Sequence, residues 1–122
     1  MIKPIRIFLG DLTYNTIGMS TEVFPLNIGY IAAYCKKQFG SQVDITLFKY
    51  IDELENAIIE NPPDILGLSN YVWSYRIGLE MFNLVHTQNP NVVTVWGGPN
   101  FPQDLETQKS FMKKCTDVDF YV

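Results

Sequence analysis

The sequence is poor in the residues that build common catalytic engines and metal sites. Of its 122 residues, one is histidine and two are cysteine. A histidine-activated nucleophile is therefore disfavoured, and a zinc site or disulfide scaffold would need more cysteines or closer spacing. His86 falls near the end of a predicted helix, where no catalytic role is expected. Cys35 and Cys115 are expected to be buried and to act as small apolar residues. Two unpaired cysteines are typical of a protein in the reducing cytoplasm, where we expect this chain to be located.

Basic residues and long apolar runs are also scarce. Nine Lys and Arg stand against 13 Asp and Glu, the net charge is −4, and the basic residues are scattered. No nucleic-acid partner is therefore expected. No apolar run approaches the roughly 20 residues of a membrane span, so no membrane association is expected. The first residues are likewise not expected to form a signal peptide. Glycine-rich phosphate loops of the Walker or dinucleotide type are absent, which disfavours nucleotide binding by those devices.

What is present is a regular alternation of strand-like and helix-like segments. The predicted strands are residues 5–9, 43–48, 64–69, 92–96 and 118–122, and the predicted helices are 25–39, 52–60, 74–88 and 103–114. Repeated strand–helix units predict right-handed crossovers and helices on both faces of a parallel sheet. The expected fold is therefore α/β, a three-layer, doubly wound, parallel five-stranded sheet formed by one domain over residues 1–122.

Some local patterns are specific enough to test. Residues 43–48 alternate in polarity, which predicts an edge strand, whereas residues 64–69 are nearly continuous in apolar residues, which predicts a strand covered on both faces. Asp52 and Glu55 resemble a capping box, and Ser74 is expected to cap the third helix.

Polar residues follow three of the predicted strands at the point where each strand ends. We name these regions the first-strand segment (residues 11–15), the serine turn (69–73) and the glycine turn (97–100). Since the carboxyl ends of parallel strands border the ligand crevice, the three are expected to form one binding site. None contains an evident nucleophile and base. The candidate binding residues are Asp11, Leu12, Thr13, Tyr14, Asn15, Ser69, Asn70, Tyr71, Trp73, Gly97, Gly98, Pro99 and Asn100.

Each region also has a purely structural interpretation. The two glycines of the glycine turn allow a flat ligand to approach the backbone, or simply serve a packed turn. Ser69 can bind a ligand or cap its own turn. Asp11 can bind an amide or hydroxyl, or accept backbone N–H groups of its own loop. Tyr71 and Trp73 suit a large planar ligand, or pack on the sheet.

The order of these segments resembles the N-terminal cobalamin-binding domain of cobalamin-dependent radical SAM enzymes. The resemblance rests on a polar loop after the first strand, PLNIGYIAAY at residues 25–34, DILGLS at 64–69, VWGGPN at 95–100 and DFYV at 119–122. In that family a helix follows the first loop, and a strand ending in Gly-x-Ser and a Gly-Gly-Pro turn come later. The resemblance covers essentially the whole chain and implies a flavodoxin-like or Rossmann-like cobalamin-binding fold.

The first-strand segment departs from the cobalamin domains of the methionine synthase and mutase type. Those domains carry Asp-x-His-x-x-Gly, whose histidine replaces the lower axial base on cobalt. Here Asp11, Thr13 and Thr16 occupy the three positions, so this loop offers no histidine. Of the serine element only Ser69 remains, while the Gly-Gly element is intact. Since radical SAM relatives commonly lack the histidine, the resemblance implies base-off corrinoid binding without it.

The resemblance also implies roles for individual residues. The dimethylbenzimidazole tail would descend between the serine turn and the glycine turn, where Ser69 and Asn70 would meet its polar atoms. The first-strand segment would lie under the corrin ring, with Thr13 or Tyr14 near the lower face of cobalt. The aromatic residues of the serine turn would border the ring.

The resemblance places the catalytic machinery elsewhere. In this family a downstream radical SAM domain binds S-adenosylmethionine and holds a 4Fe–4S cluster with three closely spaced cysteines, which this chain lacks. We therefore expect an N-terminal fragment of a longer enzyme of the methyltransferase or cyclase type. Alone it would be catalytically silent, and it could form a homodimer through surfaces that the downstream domain would cover.

Two alternatives stay open. The first is a flavodoxin-like binding or signalling module without cobalamin; a receiver domain, however, would carry a phosphorylatable Asp where Ser69 and Asn70 stand. The second is a stand-alone enzyme acting on nucleosides or sugars, which is disfavoured by the lack of an evident acid–base pair.

Overall fold

The computed structural model describes residues 2–13 and 25–122. The strands are β1 (Ile5–Thr13), β2 (Val43–Tyr50), β3 (Ile65–Ser69), β4 (Val93–Gly97) and β5 (Phe120–Tyr121). The helices are α1 (Leu26–Phe39), α2 (Ile51–Glu60), α3 (Tyr75–Gln88) and α4 (Leu105–Lys114), and a 3₁₀ turn at Gly40–Gln42 joins α1 to β2. The strands pair in parallel in the order β2-β1-β3-β4-β5. The predicted doubly wound α/β sheet is confirmed.

The strand order reverses between β1 and β3. The chain moves outward from β1 to β2, then returns past β1 to β3 and continues to β5. Because crossovers between parallel strands are right-handed, this reversal sets α1 on one face and the other three helices on the opposite face. Accordingly, α1 packs on β1 and β2, and α2 packs against α3. In such sheets the ligand crevice lies at the carboxyl edge, beside the reversal.

The main core lies between the sheet and α2, α3 and α4. Trp96 of β4 is fully buried at its centre, with ring-centroid distances of 5.3 Å to Tyr75 and 5.5 Å to Phe82. Gly78 lets α3 approach closely, since a Cβ there would lie 3.1 Å from the Trp96 ring. Leu54 of α2 is also fully buried. This packing fixes α3 against β4, and hence the turns at their ends.

Several strand predictions can be compared directly. As predicted, β2 lies on the sheet edge and β3 is almost entirely buried. In contrast, β1 continues to Thr13, although the sequence predicts its end at Leu9. Gly10 stays in the sheet, paired with Phe48 and Leu68, and an irregularity follows before Thr13 pairs with Tyr50. The prediction of a loop from Gly10 was therefore wrong, because the neighbouring strands continue the ladder.

The helix ends are partly as predicted. α1 is followed by Gly40 at φ 54°, a conformation that favours glycine. The capping box was wrong. Since α2 already begins at Ile51, Asp52 lies inside its first turn and accepts a hydrogen bond from the N–H of Glu53 at 3.0 Å.

The single histidine and the two cysteines were predicted to have no role in the site. His86 Nδ1 lies 2.7 Å from the carbonyl oxygen of Phe82 and 3.8 Å from the carboxylate of Asp117, which precedes β5. Both cysteines are free thiols; Cys115 is buried as predicted, whereas Cys35 is half-buried. Among the helices of the described ranges, none has the length and apolarity that a membrane crossing requires.

Candidate functional site

The carboxyl edge of the sheet brings the three predicted regions together. Ser69, the last residue of β3, is paired with Gly97, the last residue of β4. On the other side, Gly10 is paired with Leu68, which places Asp11 beside the serine turn. Tyr14 and Asn15 lie outside the described residues. The convergence follows from the parallel ladder, which aligns the strand ends at the β1/β3 reversal.

The hydroxyl of Ser69 is held by the start of α1. Nδ2 of Asn27 donates to Ser69 Oγ at 2.9 Å and approaches the Tyr71 hydroxyl at 3.4 Å. Oδ1 of the same side chain accepts the N–H of Ile28 at 2.8 Å. Sequence reasoning missed Asn27, although a lone amide at the start of an otherwise apolar helical segment was a usable signal. The hydrogen bond from Asn27 to Ser69 joins the start of α1 to the serine turn.

The serine turn is capped by Ser74 rather than by Ser69. Ser74 Oγ accepts the N–H of Tyr71 at 3.1 Å and lies 3.4 Å from the carbonyl oxygen of Ser69. Ser74 stands at the predicted N-cap of α3, yet its side chain makes no capping bond to that helix. Ser74, and not Ser69, therefore caps the serine turn. The hydroxyl of Ser69 instead accepts a hydrogen bond from Asn27.

An exposed aromatic pair projects from the serine turn. The rings of Tyr71 and Trp73 stack with centroids 4.7 Å apart and planes 4° from parallel. Trp73 is 65% exposed, so the alternative interpretation, in which it packs on the sheet, is wrong. Tyr75 takes that place against Trp96. The edge therefore carries a flat aromatic surface that the core does not use.

The end of β1 contributes one titratable group to this edge. Burial raises the pKa of the Asp11 carboxyl above its ordinary value. Burial, followed by the negative charge of Asp11, raises the pKa of the Tyr71 phenol. Tyr71 therefore keeps its proton at neutral pH. The neighbouring Leu12 points into the core, while Thr13 is half-buried.

The glycine turn requires glycine where it approaches the serine turn. Gly98 has φ 122°, and a Cβ there would lie 2.8 Å from the carbonyl oxygen of Asn70. At Gly97 a Cβ would lie 3.3 Å from the carbonyl oxygen of Val122. Pro99 is exposed. The two turns are thus in contact through backbone atoms, and Gly97 and Gly98 present no side chain where they meet the serine turn.

Asn70 holds these turns from the inside. It has no exposed surface, and its Nδ2 donates to the carbonyl oxygen of Asn100 at 2.8 Å. Nδ2 of Asn100 donates in return to Asn70 Oδ1 at 3.3 Å. Both ends of the Asn70 amide are therefore used within the protein, and its contribution to the edge is to join the two turns.

The arrangement suits binding rather than acid–base chemistry. Within residues 2–13 and 25–122, no three His, Cys, Asp or Glu side chains gather so as to hold a metal ion. The edge offers a hydroxyl, an amide and a phenol around Ser69, beside Gly97 and a flat aromatic pair. Such a surface can hold a large, partly planar ligand with a polar rim.

Comparison with known proteins gives a consistent result. A family model described as "B12 binding domain" matches residues 15–118. The cobalamin-dependent radical SAM methyltransferase TokK of Streptomyces tokunonensis is 32% identical over 110 residues, covering 84% of this chain and 15% of that protein. A 2-(S-pantetheinyl)-carbapenam-3-carboxylate methyltransferase of Streptantibioticus cattleyicolor is 30% identical over 93 residues, covering 70% and 13%. The chain thus spans under one sixth of these relatives.

Solved structures show the same fold at low sequence identity. A cobalamin-binding protein of Desulfitobacterium hafniense superimposes with a TM-score of 0.62 at 14% identity, covering 98% of this chain and 53% of that one. A pilus assembly protein, CpaE, of Caulobacter crescentus gives a TM-score of 0.61, also at 14% identity, with coverages of 99% and 82%. At this identity the likeness describes the fold alone.

Proposed function

Since this chain belongs to the B12-binding domain family and is related to the cobalamin domains of radical SAM methyltransferases, we propose that it binds cobalamin base-off, without a histidine ligand to cobalt. The observation that carries this proposal is the junction of the serine and glycine turns. There Ser69, whose hydroxyl is held by Asn27, is paired with Gly97, which has no side chain. A positioned hydroxyl at the carboxyl edge of the sheet fits the polar groups of a corrinoid's nucleotide tail.

The residues present fit the cofactor as a binding site. Ser69, Asn27 and Tyr71 offer hydrogen bonds to polar groups of the ligand. Gly98 serves the close contact between the glycine turn and the serine turn, since a Cβ there would lie 2.8 Å from the carbonyl oxygen of Asn70. The exposed Tyr71–Trp73 pair would border the corrin ring. When bound, cobalamin supplies a cobalt centre that can carry a methyl group. The chain itself would bind and orient the cofactor.

The positions of the chain's own residues support cobalamin binding without a histidine ligand. Asp11, Leu12 and Thr13 stand at the end of β1, and none has an imidazole. The single histidine, His86, lies at the far end of α3, near Asp117 and the beginning of β5. The carboxyl and amino ends of parallel strands are at opposite edges of a sheet, so His86 is remote from the proposed site.

We further propose that the chain serves as the cobalamin-holding part of a longer radical SAM methyltransferase. Both curated relatives are methyltransferases several times the length of this chain. The 4Fe–4S cluster and S-adenosylmethionine would bind to a downstream domain, because Cys35 and Cys115 are too few for a cluster. The corrinoid would then lie between this chain and that domain.

Titration of the 122-residue chain with hydroxocobalamin tests the proposal. We expect saturable binding at micromolar ligand and an absorption spectrum of the base-off form. His86→Ala should leave both the affinity and the spectrum unchanged. A base-on spectrum, or no binding at micromolar ligand, would overturn the proposal; the latter result would favour a flavodoxin-like module without cobalamin.

A further inference from the structure

We propose that Asn70, Asn100 and Tyr121 form a positioning clamp that fixes the distance between the serine turn and the glycine turn. The inference rests on the proposed function, since these turns border the proposed cobalamin site. The clamp is predicted to set how tightly the cofactor is held, although none of its three side chains needs to touch the cofactor.

The first layer of the clamp is made by the backbone. The N–H of Asn70 donates to the carbonyl oxygen of Gly97 at 2.5 Å, just beyond the last ladder pair of β3 and β4. The N–H of Asn100 then donates to the carbonyl oxygen of Asn70 at 3.2 Å. The two turns are therefore joined past the ends of their strands, where chains usually separate.

The second layer is a reciprocal pair of side-chain bonds. Asn70 Nδ2 donates to the backbone oxygen of Asn100 at 2.8 Å, and Asn100 Nδ2 donates to Asn70 Oδ1 at 3.3 Å. Reversing the Asn70 amide would set its oxygen against the Asn100 carbonyl, so the network fixes its orientation. Since Asn70 is fully buried, loss of either partner would leave a desolvated polar group.

The third layer comes from the last strand. The Tyr121 hydroxyl donates to the carbonyl oxygen of Gly98 at 2.7 Å and lies 3.3 Å from Asn70 Nδ2, whose hydrogen it can accept. Its ring stacks on Phe101 with centroids 3.8 Å apart. One phenol therefore bonds to both turns at once, and the stacked ring keeps it in place. Sequence patterns give no hint of this link, because Tyr121 and Asn70 are 51 residues apart.

These contacts leave no free space between the serine turn and the glycine turn. A Cβ at Gly98 would already lie 2.8 Å from the oxygen and 3.1 Å from the nitrogen of Asn70. If the clamp is loosened, the turns separate and the binding geometry is no longer preformed. The bound cofactor must then order them itself, which weakens affinity mainly through faster dissociation.

Tyr121→Phe is the most selective test, because it removes the hydroxyl and keeps the stacked ring. We expect the hydroxocobalamin dissociation constant to rise about 3- to 10-fold, the range for one net hydrogen bond at a preformed site. Asn70→Ala should have a larger effect. The matched control is Asn89→Ala, which removes a bond from Asn89 Nδ2 to the carbonyl oxygen of Pro63 at 3.0 Å, at the opposite edge.

The hydroxocobalamin dissociation constant of each protein is measured at a temperature well below its own thermal unfolding midpoint. Loss of folded protein then does not contribute to the change in affinity. The clamp is supported if Tyr121→Phe weakens binding while Asn89→Ala lowers the midpoint yet keeps wild-type affinity. It is overturned if Tyr121→Phe binds as wild type does, or if Asn89→Ala weakens binding equally, since affinity would then follow stability. If the wild-type chain does not bind hydroxocobalamin, the proposed function itself fails.

Discussion

Replacing Gly98 with alanine is the change whose outcome the structure determines most sharply. Gly98 has φ 122°, which non-glycine residues adopt only with strain of about 1–3 kcal/mol. The new methyl group would also lie 2.8 Å from the oxygen and 3.1 Å from the nitrogen of Asn70, both backbone atoms. Relieving such a clash by a backbone shift costs a further ~1–3 kcal/mol. The expected loss of folding stability is therefore about 2–6 kcal/mol.

Gly40→Ala separates strain from collision. Gly40 also has positive φ, at 54°, but a Cβ there would meet no atom within 4 Å. Its replacement should cost about 1–3 kcal/mol, the backbone strain of an alanine at positive φ alone. Urea unfolding gives both losses, and hydroxocobalamin titration shows whether the site is affected. Gly98→Ala should weaken binding at least 10-fold, whereas Gly40→Ala should not change the affinity of the folded protein.

The reasoning would be refuted by equal stability losses in the two variants, because the contact between Gly98 and Asn70 would then carry no energy. It would also be refuted if Gly98→Ala were destabilised yet bound hydroxocobalamin as wild type does. That result would mean that the distance between the serine and glycine turns does not control the site.

Three further predictions concern the residues around Ser69. Burial raises the pKa of Asp11, so its contribution to stability is greatest below its ordinary value of 3.8 and is lost as pH rises through the folded value. Asp11→Asn should therefore stabilise the protein at neutral pH and flatten the pH dependence of urea unfolding; a destabilised variant would contradict this. Asn27→Ala removes the donor to Ser69 Oγ, so it should lower the free energy of unfolding in urea by about 1 kcal/mol and weaken hydroxocobalamin binding. Unchanged affinity would exclude a role of this contact in the site. Trp73→Ala removes an exposed ring, so unfolding should shift by no more than about 0.5 kcal/mol while hydroxocobalamin affinity falls; equal affinity would show that the ring does not border the ligand.

Much of the fold was predictable because local pattern and tertiary packing agree. The apolar run of β3 and the helical spacing of α3 are strong local signals, and both elements are close to their predicted positions. The end of β1 could not be predicted in this way. Gly10 and Asp11 have the local character of a loop, but β2 and β3 keep Gly10 in the ladder, and β2 also pairs with Thr13 beyond the irregularity. Tertiary pairing outweighs local preference there.

The candidate site was predictable as a location and less so as a set of contacts. Parallel strand ends must share an edge, so the convergence of the serine and glycine turns followed from the strand pattern. The burial of Asn70 could not be predicted from the strand pattern, because its partner Tyr121 lies on a strand far away in sequence. Similarly, the cap of the serine turn depends on whether Ser69 or Ser74 reaches the Tyr71 N–H, which only side-chain geometry decides.

Electron paramagnetic resonance of the chain reconstituted with cob(II)alamin tests the central claim most directly. A nitrogen on the lower face of cobalt splits the signal by its nuclear spin, whether it comes from dimethylbenzimidazole or from a histidine. We predict that the bound cofactor shows no such splitting, since the chain offers no histidine at the end of β1 and His86 lies near Asp117. A signal split by an axial nitrogen would contradict base-off binding without a protein imidazole.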